Sequence, residues 1–223
     1  ITWFSSPQLV EGGLKNVGQH GAEGTGGAQV AHLEAVSKVS QEIRSAEKNQ
    51  AITILRKKAH SHCPRSVQYK QGTKQVDISA LDKIISIDRL PDAGAPSGGA
   101  GGGPPFVATV RAGALATMED LVRALAPHGL MPAVVPEFRK MTIGGAIQGL
   151  AAESSSFKYG FLHDVCAEFE LVLADGRIVA AAPDNEYADL FAAVPGSYGS
   201  LALLASATIY CVPATAEVEV EAR

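Results

Sequence analysis

Between Gln29 and Asn49 apolar side chains recur every three or four positions, at Val30, Leu33, Val36, Val39, Ile43 and Ala46, which predicts one amphipathic helix. Ala51 to Leu55 (AITIL) follows as a short buried strand, and Val76 to Ile78 and Ile84 to Ile87 read as further strand pieces. Phe106 to Arg111 (FVATVR) alternates as a half-buried strand does. Thr117 is placed to cap a helix whose first turn carries Glu119 and Asp120 and which Gly129 closes. Phe169 to Ala174 and Arg177 to Ala182 flank Asp175-Gly176, which predicts a hairpin with a type I′ turn. Glu186 to Ala193 predicts a short helix, and Leu201 to Val212 a closing strand. Helices mixed with hairpins, without regular βαβ alternation, predict an α+β fold.

Three stretches fall outside this periodicity. Residues 1–28 are rich in Gly, Gln and Ser and predict an irregular lead-in. Pro91 to Pro105 (PDAGAPSGGAGGGPP) cannot build a core and reads as a flexible insert at a loop tip. The third is Pro136 to Asp164, PEFRKMTIGGAIQGLAAESSSFKYGFLHD. Gly144, Gly145 and Gly149 follow the β-branched pair Thr142 and Ile143, and Ser154, Ser155 and Ser156 precede Lys158, Tyr159 and Gly160. Adjacent glycines allow close backbone approach, and unblocked N–H groups and hydroxyls donate to anionic oxygens. On residues alone this is either a site for a large anionic, nucleotide-like cofactor or a Gly-Gly turn beside a serine-rich loop.

The familiar phosphate motifs do not account for it. The order is Gly-Gly-x-x-x-Gly after a polar loop, not Gly-x-Gly-x-x-Gly after a strand, and no Gly-Lys-Ser/Thr tripeptide occurs. A Gly-x-Ser-x-Gly elbow is also lacking, which weakens a serine-hydrolase reading. A second glycine cluster, Pro195 to Leu203 (PGSYGSLAL), carries Gly196, Ser197, Tyr198, Gly199 and Ser200 just before the closing strand. Alone it reads as a turn; paired with the first it favours the cofactor.

Composition narrows the class. The 223 residues carry a formal net charge of −4, which argues against nucleic acid as the main partner. Arg56, Lys57, Lys58, Arg65, Lys70 and Lys74 nevertheless form a run without a carboxylate, either a solvated loop, a pyrophosphate clamp or a contact with an anionic membrane surface. Cys63, Cys166 and Cys211 are too scattered for a disulfide framework or a metal site, so a reducing compartment is expected. His60 and His62 have no carboxylate beside them, and no metal site is assigned. No apolar run reaches the roughly 18 residues that span a bilayer. The chain starts at Ile1 rather than Met, which suggests a longer product in which an upstream anchor stays open.

The ordered segments AITILRKKAHS, FVATVRAGALATMEDLVRALAPHGLMPAVVPE, TIGGAIQG, YGFLHD, FELVLADGRIV and DLFAAVPGSYGSLALLASATIYCVP resemble the FAD-binding domain of the vanillyl-alcohol oxidase and p-cresol methylhydroxylase superfamily, from about Gln29 to Pro213. ESSSFKYG after TIGGAIQG is most similar to the delta-24 sterol reductases, the Diminuto or seladin group. The resemblance implies two α/β subdomains with the cofactor between them, with residues 214–223 opening a C-terminal cap domain. It implies an FAD-dependent oxidoreductase that reduces a sterol side-chain double bond with NADPH. The alternative it leaves is an FAD-linked oxidase or dehydrogenase of a small alcohol or hydroxy acid.

The residues it implies for FAD are Thr142, Ile143, Gly144, Gly145, Gly149, Glu153, Ser154, Ser155, Gly160, Asp164, Gly196 and Ser197, with Gly144 and Gly145 against the phosphates. RKKAHSH, from Arg56 to His62, stands where the superfamily carries an Arg-Gly-x-Gly-His-Ser type of loop, so its contacts stay open, although the sterol reductases also deviate there. FAD is expected to be bound without a covalent link to His60 or His62. The resemblance further implies a sterol-like lipid substrate, peripheral membrane contact and an endoplasmic reticulum location. Lys158, Tyr159 and His163 lie in the same motif, but no catalytic residue is assigned.

Overall fold

The computed structural model describes residues 26–56, 68–91 and 106–215. The lead-in, His60, His62, Cys63, the cations Lys57, Lys58 and Arg65, and nearly all of the Gly/Pro insert lie outside the described residues.

Helix α1 (Gly26–Arg44) buries His32, Ala35, Val36, Val39, Ser40 and Ile43. They form one stripe, but it is rotated from the expected one: Val30 and Leu33 are more than half exposed, and His32 is 1% exposed in their place. The reason lies across the interface, where His32 Nε2 sits 2.5 Å from Glu170 Oε2. That polar contact sets the phase at the N-terminal half, where the apolar spacing is ambiguous. Strands β1 (Ile52–Leu55) and β2 (Lys74–Asp77) pair in parallel. The stripe of α1 packs with Val76, Ile78, Leu81, Val172 and Ala205 in a small core that joins this pair to the main sheet.

The main sheet is antiparallel, in the order β3 (Ile84–Arg89), β4 (Ala108–Gly113), β8 (Leu203–Pro213), β6 (Cys166–Val172), β7 (Ile178–Ala181). A short β5 (Leu130–Pro132) pairs with the far end of β8. The closing strand therefore lies at the centre, which explains why β8 is buried along most of its length. Helix α2 (Met118–Leu125) is capped as expected: the Thr117 hydroxyl accepts from the Asp120 N–H at 3.2 Å, and Asp120 Oδ2 accepts from the Thr117 N–H at 3.0 Å. A 3₁₀ turn then carries the chain to Gly129, whose φ of 64° is the expected left-handed stop.

The β6–β7 hairpin differs from expectation in its turn. Only Gly176 has positive φ, at 79°, so the turn is not type I′. Gly176 N–H donates to the Leu173 carbonyl and Leu173 N–H to the Arg177 carbonyl, both at 2.9 Å, a three-residue loop that Gly176 closes. Asp175 stabilises that form by accepting from the Arg177 N–H at 2.9 Å. Helix α1 reads the turn directly, since the Ser40 hydroxyl donates to the Gly176 carbonyl at 2.5 Å.

Pro136 to Asp164 is also more helical than its glycines suggest. It contains α3 (Ile143–Gln148), α4 (Ser156–Tyr159) and a 3₁₀ turn at Leu162–Val165. Helix α5 (Ala188–Ala193) starts two residues later than expected and sets Phe191 on Phe169, ring centroids 4.6 Å apart.

Candidate functional site: two glycine-rich loops beside a capped helix

The first glycine cluster is held by a thread of backbone hydrogen bonds. Met118 N–H donates to the Met141 carbonyl and Ile143 N–H to the Ala116 carbonyl, both at 2.9 Å, so the caps of α2 and α3 lie side by side. The Thr142 hydroxyl caps α3 by accepting from the Gly145 N–H at 3.2 Å. Ile143 is fully buried.

Its two adjacent glycines do different work. Gly144 is buried, and its N–H donates to the Ala114 carbonyl at 2.8 Å. A Cβ there would come within 2.9 Å of the Ala114 Cβ, so Gly144 allows α3 to rest on the chain leaving β4. Gly145 is exposed, and within 4 Å a Cβ there would meet only the Thr142 hydroxyl, at 3.0 Å. A ligand can reach the main chain at Gly145, whereas protein already occupies Gly144. Gly149 sits where the helix ends, and a Cβ would come 2.8 Å from the Gly145 carbonyl.

The serines form a knot around one carboxylate. Glu153 accepts from the Ser154 hydroxyl and, at 3.3 Å, from the Ser155 N–H, while its own N–H donates to the Ser156 hydroxyl at 2.9 Å. The Ser154 hydroxyl is the main cause that holds the Glu153 pKa below the ordinary carboxylate value, so this corner is anionic at neutral pH. The Ser155 hydroxyl donates to the Ala133 carbonyl at 2.9 Å. Gly160 takes a φ of 82°, and Asp164 accepts from the Phe161 N–H at 2.7 Å, which closes the loop. A side chain at Gly160 would run into that carboxylate.

The second cluster meets the first. Tyr198 N–H donates to the Gln148 carbonyl at 3.4 Å, and Gln148 Nε2 donates to the Ala202 carbonyl at 3.3 Å. Gly196 packs on Leu150, whose Cδ1 would lie 3.0 Å from a Cβ added there. The Ser197 hydroxyl is buried and has no partner among the described residues, a group that a bound ligand could satisfy. Thr142, Gly145, Gly149, Gly196 and Ser197 thus belong to one neighbourhood, built from loops 50 residues apart in sequence.

A cleft opens beside Asp164 and Pro195. Phe106, His163, Asp164, Cys166, Asp184, Phe191, Pro195 and Tyr210 line an open cleft of about 770 Å³. Burial, with Asp184 as a lesser cause, pushes the Tyr210 phenol up. Sequence reasoning missed this cleft, because its walls come from five separate segments. It also missed the buried group formed by Glu170, His32, Arg111 and Ser206. Arg111 Nη2 lies 3.0 Å from Glu170 Oε1, and the Ser206 hydroxyl donates to Glu170 Oε2 at 2.9 Å. Burial alone would raise the Glu170 pKa, but the His32 hydrogen bond and the Arg111 charge outweigh it and lower it. No group of three or more His, Cys, Asp or Glu that could hold a metal ion occurs among the described residues.

Comparison with known proteins gives these loops a context. The family described as "FAD binding domain" matches residues 27–182, and the chain belongs to that family. The chain is 36% identical over 188 residues to the Delta(24)-sterol reductase of Pisum sativum, covering 83% of this chain and 30% of that protein. It is 43% identical over 147 residues to the Delta(24)-sterol reductase of Homo sapiens, covering 66% and 25%. Cytokinin dehydrogenase 6 of Oryza sativa subsp. japonica is 25% identical over 189 residues, covering 85% and 34%. The chain therefore spans about a third or less of the length of these relatives. The features at hand suit such a cofactor: an approachable main chain at Gly145 and an unsatisfied buried hydroxyl at Ser197. The 195–201 turn lies beyond the family match, and only its contact with Gln148 and Leu150 brings it to the site.

Proposed function

We propose that the protein is an FAD-dependent oxidoreductase of the delta-24 sterol reductase kind, which reduces an isolated side-chain double bond in a sterol-like lipid with NADPH as electron donor. The observation that carries this reading is the match to Delta(24)-sterol reductases over most of the chain, with the Ile143 to Ser155 segment inside the family match.

In this reading Thr142, Ile143, Gly145, Gly149, Gly196 and Ser197 hold FAD without a covalent bond. Gly145 faces the pyrophosphate, and Gly144 keeps α3 against the sheet so that Gly145 can do so. Glu153 with Ser154 and Ser155 suits hydroxyl donors of the ribityl or ribose chain better than phosphate, because an ionised carboxylate repels a second anion. Gly160 and Asp164 keep that loop closed. When bound, the flavin supplies hydride transfer between NADPH and the alkene carbon. The protein's own part is to orient that ring, exclude water and deliver a proton to the second carbon from a titratable group near the substrate. His163 and Tyr210 line the cleft, but no proton donor is assigned. Residues 29–213 would form the FAD-binding domain of a longer polypeptide whose further part closes the substrate cavity. Membrane contact is proposed from the lipid substrate alone; no helix among the described residues is long and apolar enough to cross a bilayer.

The test uses the complete protein. Its purified form should carry the absorption bands of bound flavin, lose them on anaerobic addition of NADPH, and turn over a delta-24 sterol. Rapid turnover of small alcohols with no sterol reduction would instead establish a dehydrogenase or oxidase, a reading favoured by the 25% likeness to a cytokinin dehydrogenase.

A further inference from the structure

The cleft beside Asp164 and Pro195 adjoins both glycine-rich loops, and its walls differ from theirs in chemistry. Much of the wall is flat and apolar. Phe106 lies face to face with Tyr210, ring centroids 4.7 Å apart and planes 8° from parallel, and Phe191, Pro183 and Pro195 add further apolar surface. Two carboxylates also line it. Asp164 is already engaged, accepting from the Phe161 N–H at 2.7 Å and lying 3.5 Å from His163 Nε2. Asp184 is exposed, and neither its carboxylate nor the Tyr210 phenol has a hydrogen-bond partner among the described residues. Burial first, then the charge of Asp184, holds the Tyr210 pKa above its ordinary value, so the phenol keeps its proton at neutral pH.

These groups select among ligands. Two carboxylates repel a phosphate-bearing ligand, so the cleft suits neither a pyrophosphate nor an acidic lipid. A ketone, ether or ester cannot donate to Asp184. A hydroxyl can donate to Asp184 and accept from the Tyr210 O–H, which satisfies both groups at once. The volume of about 770 Å³ is enough for the rigid apolar body of such an alcohol.

We propose that this cleft is a subsite for the ring-hydroxyl end of the sterol-like substrate, with Asp184 and Tyr210 reading the hydroxyl and Phe106 and Phe191 carrying the rings. The inference rests on the sterol reading above and adds two specificity-determining residues to it. The ring hydroxyl and the side-chain double bond lie at opposite ends of a sterol, so these residues act on binding and not on the reduction itself.

The experiment compares a delta-24 sterol bearing its free ring hydroxyl with the methyl ether of the same sterol, on the complete protein. Steady-state turnover gives KM and kcat, and binding of the radiolabelled sterols to the flavin-stripped protein gives affinity without chemistry. The parent should favour the free hydroxyl about tenfold in KM and in affinity. Asp184→Ala and Tyr210→Phe should raise the KM of the hydroxyl form about fivefold to tenfold, keep kcat within about twofold, and leave the ether as it was. An unchanged preference for the hydroxyl in both variants, or no preference in the parent, overturns the subsite and leaves the sterol reading intact. A loss of kcat without a change in KM also overturns it, since the residues would then act at the reacting carbons. A parent that neither binds nor reduces the sterol overturns the sterol reading and the subsite together.

Discussion

Two regions of this molecule differ in where their unmet contacts lie: a charged group beneath α1 and a pair of glycine-rich loops at the surface. In the His32–Glu170–Arg111–Ser206 group both oxygens of Glu170 have partners within the protein and α1 is fastened to the sheet through that carboxylate, while His32 Nδ1 stays buried without a partner among the described residues. The pair of glycine-rich loops is open: Gly145 faces outward, the Ser197 hydroxyl lacks a partner among the described residues, and Leu150 and Tyr198 hold strained backbone with exposed side chains. A carboxylate whose oxygens the protein itself satisfies serves the fold, whereas a backbone left approachable at the surface is available to a ligand.

The sharpest way to break this comparison is to remove the centre of the charged group. Glu170→Ala would leave the half-buried Arg111 and the buried His32 without the carboxylate between them, and we expect a loss of about 3 kcal/mol, measured by urea unfolding. A loss below about 1 kcal/mol would show that the network is not structural.

Next in size is the contrast between neighbouring glycines. Gly144→Ala forces a Cβ to within 2.9 Å of the Ala114 Cβ and should cost about 2 kcal/mol of stability. Gly145→Val should change stability by about 1 kcal/mol or less, yet lose bound flavin. Full flavin content in a folded Gly145→Val protein would sink the placement of the phosphates. Equal stability losses at the two positions would erase the distinction between packing and approach.

A smaller effect is expected from pH at the mouth of α2. Hydrogen bonds from Lys140 and Arg139 hold the Glu119 carboxylate at about 2, against an ordinary 4.5, with Arg123 adding its charge. The folded value is the lower one, so this contribution is full above pH 4.5 and disappears as pH falls toward 2. The melting-temperature gap between the parent and Glu119→Gln should therefore narrow over that window. A gap that stays constant would mean that the charge of Glu119 contributes nothing there.

The smallest effect concerns the buried thiols. Burial pushes Cys211 up to about 12 and Cys166 above the ordinary thiol range, so neither is a nucleophile near neutrality. Brief treatment of the native protein with a maleimide, read by peptide mass spectrometry, should leave both unlabelled. Labelling of Cys166 under native conditions would show that the floor of the cleft opens.

Much of this was legible in order and type. The α2 cap could be read from Thr117 and Asp120, and the hairpin from Asp175-Gly176, because capping and turn chemistry are local. The phase of α1 was not legible: Val30 and Leu33 are as apolar as the residues that are buried, and His32 is chosen by a glutamate 138 positions away. The turn type was missed because Asp175 can stabilise either loop through its side chain. In the candidate site, the glycines and serines marked the segment and its resemblance named the cofactor, yet composition could not separate Gly144 from Gly145.

Local spacing and residue chemistry alone determined the α+β class, the positions of most elements and the two glycine clusters, since each depends on interactions within a few residues. Tertiary structure alone decided which glycine meets protein and which meets solvent, and which polar groups complete one another. It also brought Gln148 and Leu150 against Gly196 and Tyr198. Those are contacts between segments far apart in the chain, and no local propensity encodes them.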